Sequence, residues 1–157
     1  MFREMRRKNQ QLSEEDTAAI LREGSSGVLS VLGDDGYPYG VPLSYLYEEG
    51  RLYFHCAVSG HKLDALRREA KASFCVIAQD EIVPKKYTTE YRSAIAFGRV
   101  RELEGEEKRE ALDRLMVKYY PEEAPDHRQE EIERSWERLC LLEMEVEHLT
   151  GKARTVR

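Results

Sequence analysis

Apolar positions recur along this chain with two different periods, and the switches between them mark its elements. Residues 27–32, Gly-Val-Leu-Ser-Val-Leu, form a short apolar run that ends at Asp34-Asp35-Gly36, the pattern of a strand entering a turn. Residues 37–47 read as one long strand. Pro38 and Pro42 remove two ladder donors from it, so an edge or bulged position is expected. Glu48-Glu49-Gly50 then turns the chain into a strand over 51–57, which completes a three-stranded meander. Two more apolar strands follow at 72–78 and 92–104, separated by a less regular segment, 80–90, with Pro84 and two lysines. A final strand with partial alternation covers 139–146, and a basic tail begins at Gly151.

Between these runs the period lengthens to that of a helix. Ala18, Ala19, Ile20 and Leu21 supply an apolar stripe, with Ser13 and Asp16 as a cap and Gly24 as a stop. A short helix is expected over 62–69, with Leu63, Leu66 and Ala70 on one face. A longer one covers 105–119, with Ala111, Leu112, Leu115 and Met116, and a highly charged one covers 129–138. Six or seven strands with few βαβ units predict a mainly β fold: an antiparallel barrel, closed or split, with peripheral helices. No repeat or linker divides the chain, so 1–157 is expected to be a single domain with a flexible arm at 1–11.

Composition narrows the function. The chain has 157 residues, enough for one real core, and a formal net charge of −5, which argues against a nucleic-acid binder. It lacks a long apolar run and opens on a charged segment without a signal-peptide core, so no membrane association and a cytoplasmic location are expected. Cys56, Cys75 and Cys140 are odd in number, far apart and set in apolar runs, the pattern of reduced thiols.

The candidate chemistry gathers around residues 53–63. An apolar strand there runs into Ser59-Gly60-His61-Lys62 at the start of a helix, where unpaired N–H groups and two cationic side chains make a plausible phosphate cradle. The competing reading is a solvated loop and helix cap. His55 is either a hydrogen-bonded histidine on a barrel face or one that faces a cofactor or substrate. A metal site from His55, Cys56 and His61 matches no standard zinc spacing. The run 37–45, rich in aromatics and prolines, is either a bulged edge or a wall for a flat ring, and Tyr91-Arg92-Ser93 enters a strand expected at the core or at a subunit interface. The chain contains no P-loop, dinucleotide glycine pattern or assembled Ser/His/Asp triad.

Four segments then carry a resemblance: 36–42 (Gly-Tyr-Pro-Tyr-Gly-Val-Pro), 53–64 with Gly60-His61-Lys62, 91–98 (Tyr-Arg-Ser-Ala-Ile-Ala-Phe-Gly), and 147–152 (Glu-His-Leu-Thr-Gly-Lys). In order and spacing the chain resembles the pyridoxamine 5′-phosphate oxidase-like flavin proteins, and within them the nitroimidazole resistance (Nim-type) reductases. The resemblance implies an FMN-binding split barrel, an antiparallel six- to seven-stranded Greek key, and a homodimer with two FMN molecules in its interface. It puts the phosphate at Ser59, His61 and Lys62, and the ring near Val41, Pro42, Leu43 and Ser44. It makes His55 a contact to substrate, and it brings Tyr91, Arg92 and Ser93 to the flavin from the partner subunit. It implies an FMN-dependent oxidoreductase acting on a small, nitro-aromatic acceptor. A non-catalytic flavin-binding or redox-sensing dimer and a haem-binding split barrel with His55 or His61 as axial ligand are the alternatives. The family's best-known enzyme has an arginine where His61 stands, and substrate-binding residues near its C-terminus without counterparts here, so pyridoxamine phosphate oxidation is not expected.

Overall fold

The computed structural model describes residues 1–155; Val156 and Arg157, the end of the expected domain span, lie outside the described residues. Helix α1 (Glu14–Glu23) begins where Ser13 is extended and its Oγ accepts the Asp16 N–H at 3.1 Å, with Glu14, Glu15 and Asp16 at the positive end of the helix dipole. Strands β1 (Ser26–Leu32), β2 (Pro38–Ser44), β3 (Leu46–Glu48) and β4 (Arg51–Ala57) precede α2 (His61–Arg68). Then come β5 (Lys71–Val83), β6 (Thr88–Leu103), α3 (Gly105–Tyr119), α4 (Pro125–Ser135) and β7 (Leu139–Arg154). The seven strands form one antiparallel sheet in the order β2-β1-β5-β6-β7-β4-β3.

That order dictates the shape. β2 and β3 occupy opposite edges of the sheet, yet only Tyr45 separates them in the chain. Two Cα atoms flanking one residue are at most roughly 7 Å apart, so the sheet has to roll until its edges converge at this corner. The result is a barrel closed by the chain and left without a hydrogen-bonded ladder between β2 and β3, a split barrel.

The expected single strand over 37–47, and the meander built on it, are corrected here. The ring of Tyr45 is fully buried, its hydroxyl donates to the Leu21 carbonyl at 2.7 Å, and its N–H donates to the Tyr119 hydroxyl at 2.8 Å. These bonds redirect the chain from the β1 side of the barrel to the β4 side. The irregular segment at 80–90 is also corrected. It is the far end of a long β5–β6 hairpin, with Val83 opposite Thr88 and a tight turn at Pro84–Lys86. It lacks an apolar period because it extends past the core, with little to bury on either face. β7 likewise runs on past Val146 to Arg154, through a bulge at Glu147 opposite Phe97 and Gly98 of β6. A Cβ at Gly98 would lie 2.0 Å from the Glu145 carbonyl oxygen, so only glycine fits at this bulge. Residues 1–11 lie beside β7: Gln11 bridges to Lys152, and the Phe2 ring stacks on His148 at 4.6 Å.

The barrel interior is filled by Leu29, Phe54, Phe74, Ala96, Leu142 and Met144, and plugged by Ile20 and Leu21 of α1 and Leu63 and Leu66 of α2. A second core lies outside the sheet, where Tyr53 and Leu141 meet Ala111, Leu112 and Leu115 of α3 and Ile132 of α4. The three cysteines are free, and burial raises the pKa of each thiol, Cys140 to about 12. Among the described residues, no helix is long and apolar enough to cross a membrane.

Candidate functional site

Strand β4 leaves the barrel at Ala57 and enters α2 through Val58, Ser59 and Gly60. Gly60 has φ 140° and ψ 173°, a region open essentially to glycine alone, and it turns the chain abruptly into the helix. No side chain caps α2; its first helical bond is from the Asp64 N–H to the Gly60 carbonyl. The N–H groups of His61, Lys62 and Leu63 therefore have no helical acceptor and sit at the positive end of the dipole. Ser59 is exposed and Lys62 half-buried. Among the described residues no carboxylate pairs with Lys62, and its charge bears on His55 and Cys56.

His61 is engaged elsewhere. Its ring stacks on Tyr39 at 4.1 Å, and its Nε2 accepts the Asp34 N–H at 3.4 Å and lies 3.7 Å from the Asp34 carboxylate. A ligand at the helix end would thus meet the Ser59 hydroxyl, the Lys62 ammonium and backbone N–H groups, with His61 contributing its main chain. That donor set suits a phosphate monoester.

His55 lies on the outer face of β4, while Phe54 and Cys56 on either side point into the barrel. This alternation keeps His55 and Cys56 from ligating one ion. Burial, and then the nearby Lys62 charge, hold the His55 pKa below its usual value, which favours the neutral imidazole. Beside it opens a cavity of about 220 Å³ between the sheet and helices α3 and α4, and Ser44, at the end of β2, lines it as well.

The other candidates on β2 divide by face. Val41 and Leu43 pack against the barrel core, whereas Pro42 and Ser44 face outward. Pro42 begins an outer-face row through Val28, Cys75, Ile95 and Thr150. Val28 and Ile95 are 41% and 37% exposed there, and Phe97, two residues along β6, is 36% exposed. Tyr91, Arg92 and Ser93 stand apart. Tyr91 donates to Gln10 Oε1 at 2.8 Å, and in register the segment lies beside Lys152–Arg154. Leu103 of β6 is the residue level with Leu141 and His55. Tyr91 lies twelve residues further along the strand, or about 40 Å of extended chain. One protomer therefore does not bring 91–93 to the end of α2.

The helical wall of the cavity is the apolar face that periodicity assigns to α3, Leu112, Leu115 and Met116, with Tyr119 at the helix end and Tyr120 just past it; sequence reasoning did not place that face opposite His55. It also assigned no role to His148 within the 147–152 segment. That residue lies on the outer face beside Phe97, and its Nε2 is buried without a hydrogen-bond partner.

This architecture recurs in solved structures. One is a candidate 5-nitroimidazole antibiotic resistance protein from Bacteroides thetaiotaomicron, similar over 91% of this chain and 86% of its own, at 23% identity and a TM-score of 0.77. A FAD and haem binding protein from Mycobacterium smegmatis covers 94% of this chain and 74% of its own, at 22% identity and a TM-score of 0.77. A FAD-binding protein from Mesorhizobium loti covers 93% and 98%, at 22% identity and a TM-score of 0.65. At such identities the likeness is one of fold. No curated protein matches the chain with significance. The family model described as pyridoxamine 5′-phosphate oxidase matches residues 13–153, from the cap of α1 to the penultimate residue of β7. Fold, strand order and family model agree over nearly the whole chain, and this protein belongs to the pyridoxamine 5′-phosphate oxidase family.

Proposed function

We propose that this protein binds FMN at the N-terminus of α2 and reduces small nitro-aromatic acceptors, working as a homodimer with each flavin between the two subunits. The observation that carries the reading is the uncapped helix end formed by Gly60, with Ser59 and Lys62 beside it and the ring of His55 on the strand that leads into it. FMN ends in a phosphate monoester, and a single cradle with one lysine suits that group. Two of the structural neighbours are FAD-binding proteins and a third is a candidate nitroimidazole resistance protein, which supports flavin and acceptor class alike.

The flavin supplies hydride and electron transfer when bound. Lys62, Ser59 and the backbone N–H groups hold its phosphate. Pro42 and Ser44 border its ring, and the His55 imidazole orients the acceptor by donating its single N–H. The distance of Tyr91, Arg92 and Ser93 from α2 within one chain supports their reaching the flavin of the partner. The engagement of His61 with Asp34 leaves one cationic side chain at the cradle, which speaks against a doubly basic site of the pyridoxamine phosphate oxidase kind.

The test is a fluorescence titration of FMN and FAD into wild type and Lys62→Ala. Wild type should bind FMN, and the variant should lose about 1.5–3 kcal/mol, roughly ten- to a hundredfold in affinity. Equal affinity in the two proteins would rule out the cradle, and a Soret band in place of flavin absorbance would favour the haem reading.

A further inference from the structure

We infer that the half-open cavity bordered by α3, α4 and the outer face of β4 is the acceptor pocket, shaped for one uncharged aromatic ring with a hydrogen-bond-accepting edge, and unsuited to phosphorylated substrates. This rests on the reductase reading, since it assigns the second substrate of the same site.

Size sets the first limit. The cavity is about 220 Å³, below the usual range for drug-sized ligands. A dry apolar cavity of about 150 Å³ suffices for benzene, so this one has room for a single ring and a small substituent. Its walls set the second. Leu112, Leu115 and Met116 of α3 and Leu139 of β7 supply apolar surface, and the thioether of Met116 adapts to a flat ring.

The polar atoms set the third. The Tyr119 hydroxyl is held by the Tyr45 N–H and nearby carbonyls, and the Ser135 hydroxyl donates to the Glu131 carbonyl at 2.9 Å. The Glu131 carboxylate pairs with Arg134 at 2.7 Å. Hydrogen-bonding capacity facing a ligand thus comes from His55, Ser44 and the Tyr120 hydroxyl, the first two among the residues that the resemblance assigns to the flavin and substrate. Among the described residues no lysine or arginine lines the cavity, and its one carboxylate, that of Glu131, is paired with Arg134. A phosphate dianion would find no cationic side chain in these walls, while a nitro or carbonyl oxygen would find the His55 N–H or the hydroxyls of Ser44 and Tyr120.

The protein carries its own reporter. Of its four methionines, Met116 lines the cavity and Met144 lies in the barrel core. With methyl-labelled methionine, 2-methyl-5-nitroimidazole should shift the Met116 ε-methyl resonance and leave Met144 in place, in protein as purified and in protein loaded with FMN. Pyridoxamine 5′-phosphate should leave both in place. Met116→Trp, which fills the cavity, should weaken nitroimidazole binding at least tenfold in calorimetry while FMN affinity stays within twofold. An unmoved Met116 methyl with nitroimidazole in both states, or a shift with pyridoxamine 5′-phosphate, overturns the inference without the variant. If FMN fails to bind but the nitroimidazole still moves Met116, the pocket stands and the flavin reading falls.

Discussion

At the scale of single residues, Gly60 joins conformation most directly to chemistry. Nothing lies within 4 Å of a Cβ built there, so an alanine would meet no neighbour; its cost is the backbone angle alone, φ 140°. Gly60→Ala should cost about 1–3 kcal/mol, or roughly 2–12 °C in a thermal melt. It should also weaken FMN binding, because the turn aims the first N–H groups of α2. A melt and an FMN titration on the same sample check both, and an unchanged pair of values would remove Gly60 from the site. Gly24 is constrained in the opposite way, by space: a Cβ there would lie 2.3 Å from the Tyr45 hydroxyl oxygen. The cap at Ser13 and the turn at Gly60 were legible in the sequence because their residue types are local signals. The orientation of His61 was not. It depends on Tyr39 and Asp34, which the fold brings up from the β1–β2 connection.

At the scale of elements, α3 fastens the barrel's corner. The Lys118 ammonium donates to the carbonyls of Gly24 at 2.6 Å and Tyr45 at 2.7 Å, and lies 4.0 Å from the centre of the Tyr45 ring. Burial lowers its pKa from 10.5 to about 8. Below pH 8 the folded and unfolded chains both hold this proton. Between 8 and 10.5 the unfolded chain holds it and the folded chain has released it, so the lysine's contribution to stability rises with pH across that window. Urea denaturation of wild type and Lys118→Met from about pH 7.5 to 10 should show the difference moving in favour of wild type; a flat difference would contradict the buried setting of the amine. Most element types could be read from periodicity, since each strand or helix with a buried face shows it. The outer ends of β5, β6 and β7 escaped because backbone pairing, not burial, holds them. The switch at Tyr45 escaped because a strand that changes edges keeps the same alternation.

At the scale of the whole molecule, the outer face of the barrel is the surface left to explain. Val28, Ile77, Ile95 and Phe97 expose apolar side chains on three adjacent strands, as expected of a face that meets another subunit. Sedimentation should give a mass near twice 18.3 kDa, and Ile95→Glu should return it to that of one chain with loss of FMN affinity. A wild-type monomer that binds FMN fully would refute the shared site.

β2 and β3, the two ends of the sheet, are drawn together by the one-residue passage at Tyr45, β2 carries Pro38 and Pro42, and β3 is three residues long. A neighbouring molecule therefore finds no long free ladder on which to add a strand. A flexible insertion beside Tyr45 would let the two ends drift apart and leave each of them open to growth. Tyr45 thus guards the two ends of the sheet as well as the core that its buried ring fills.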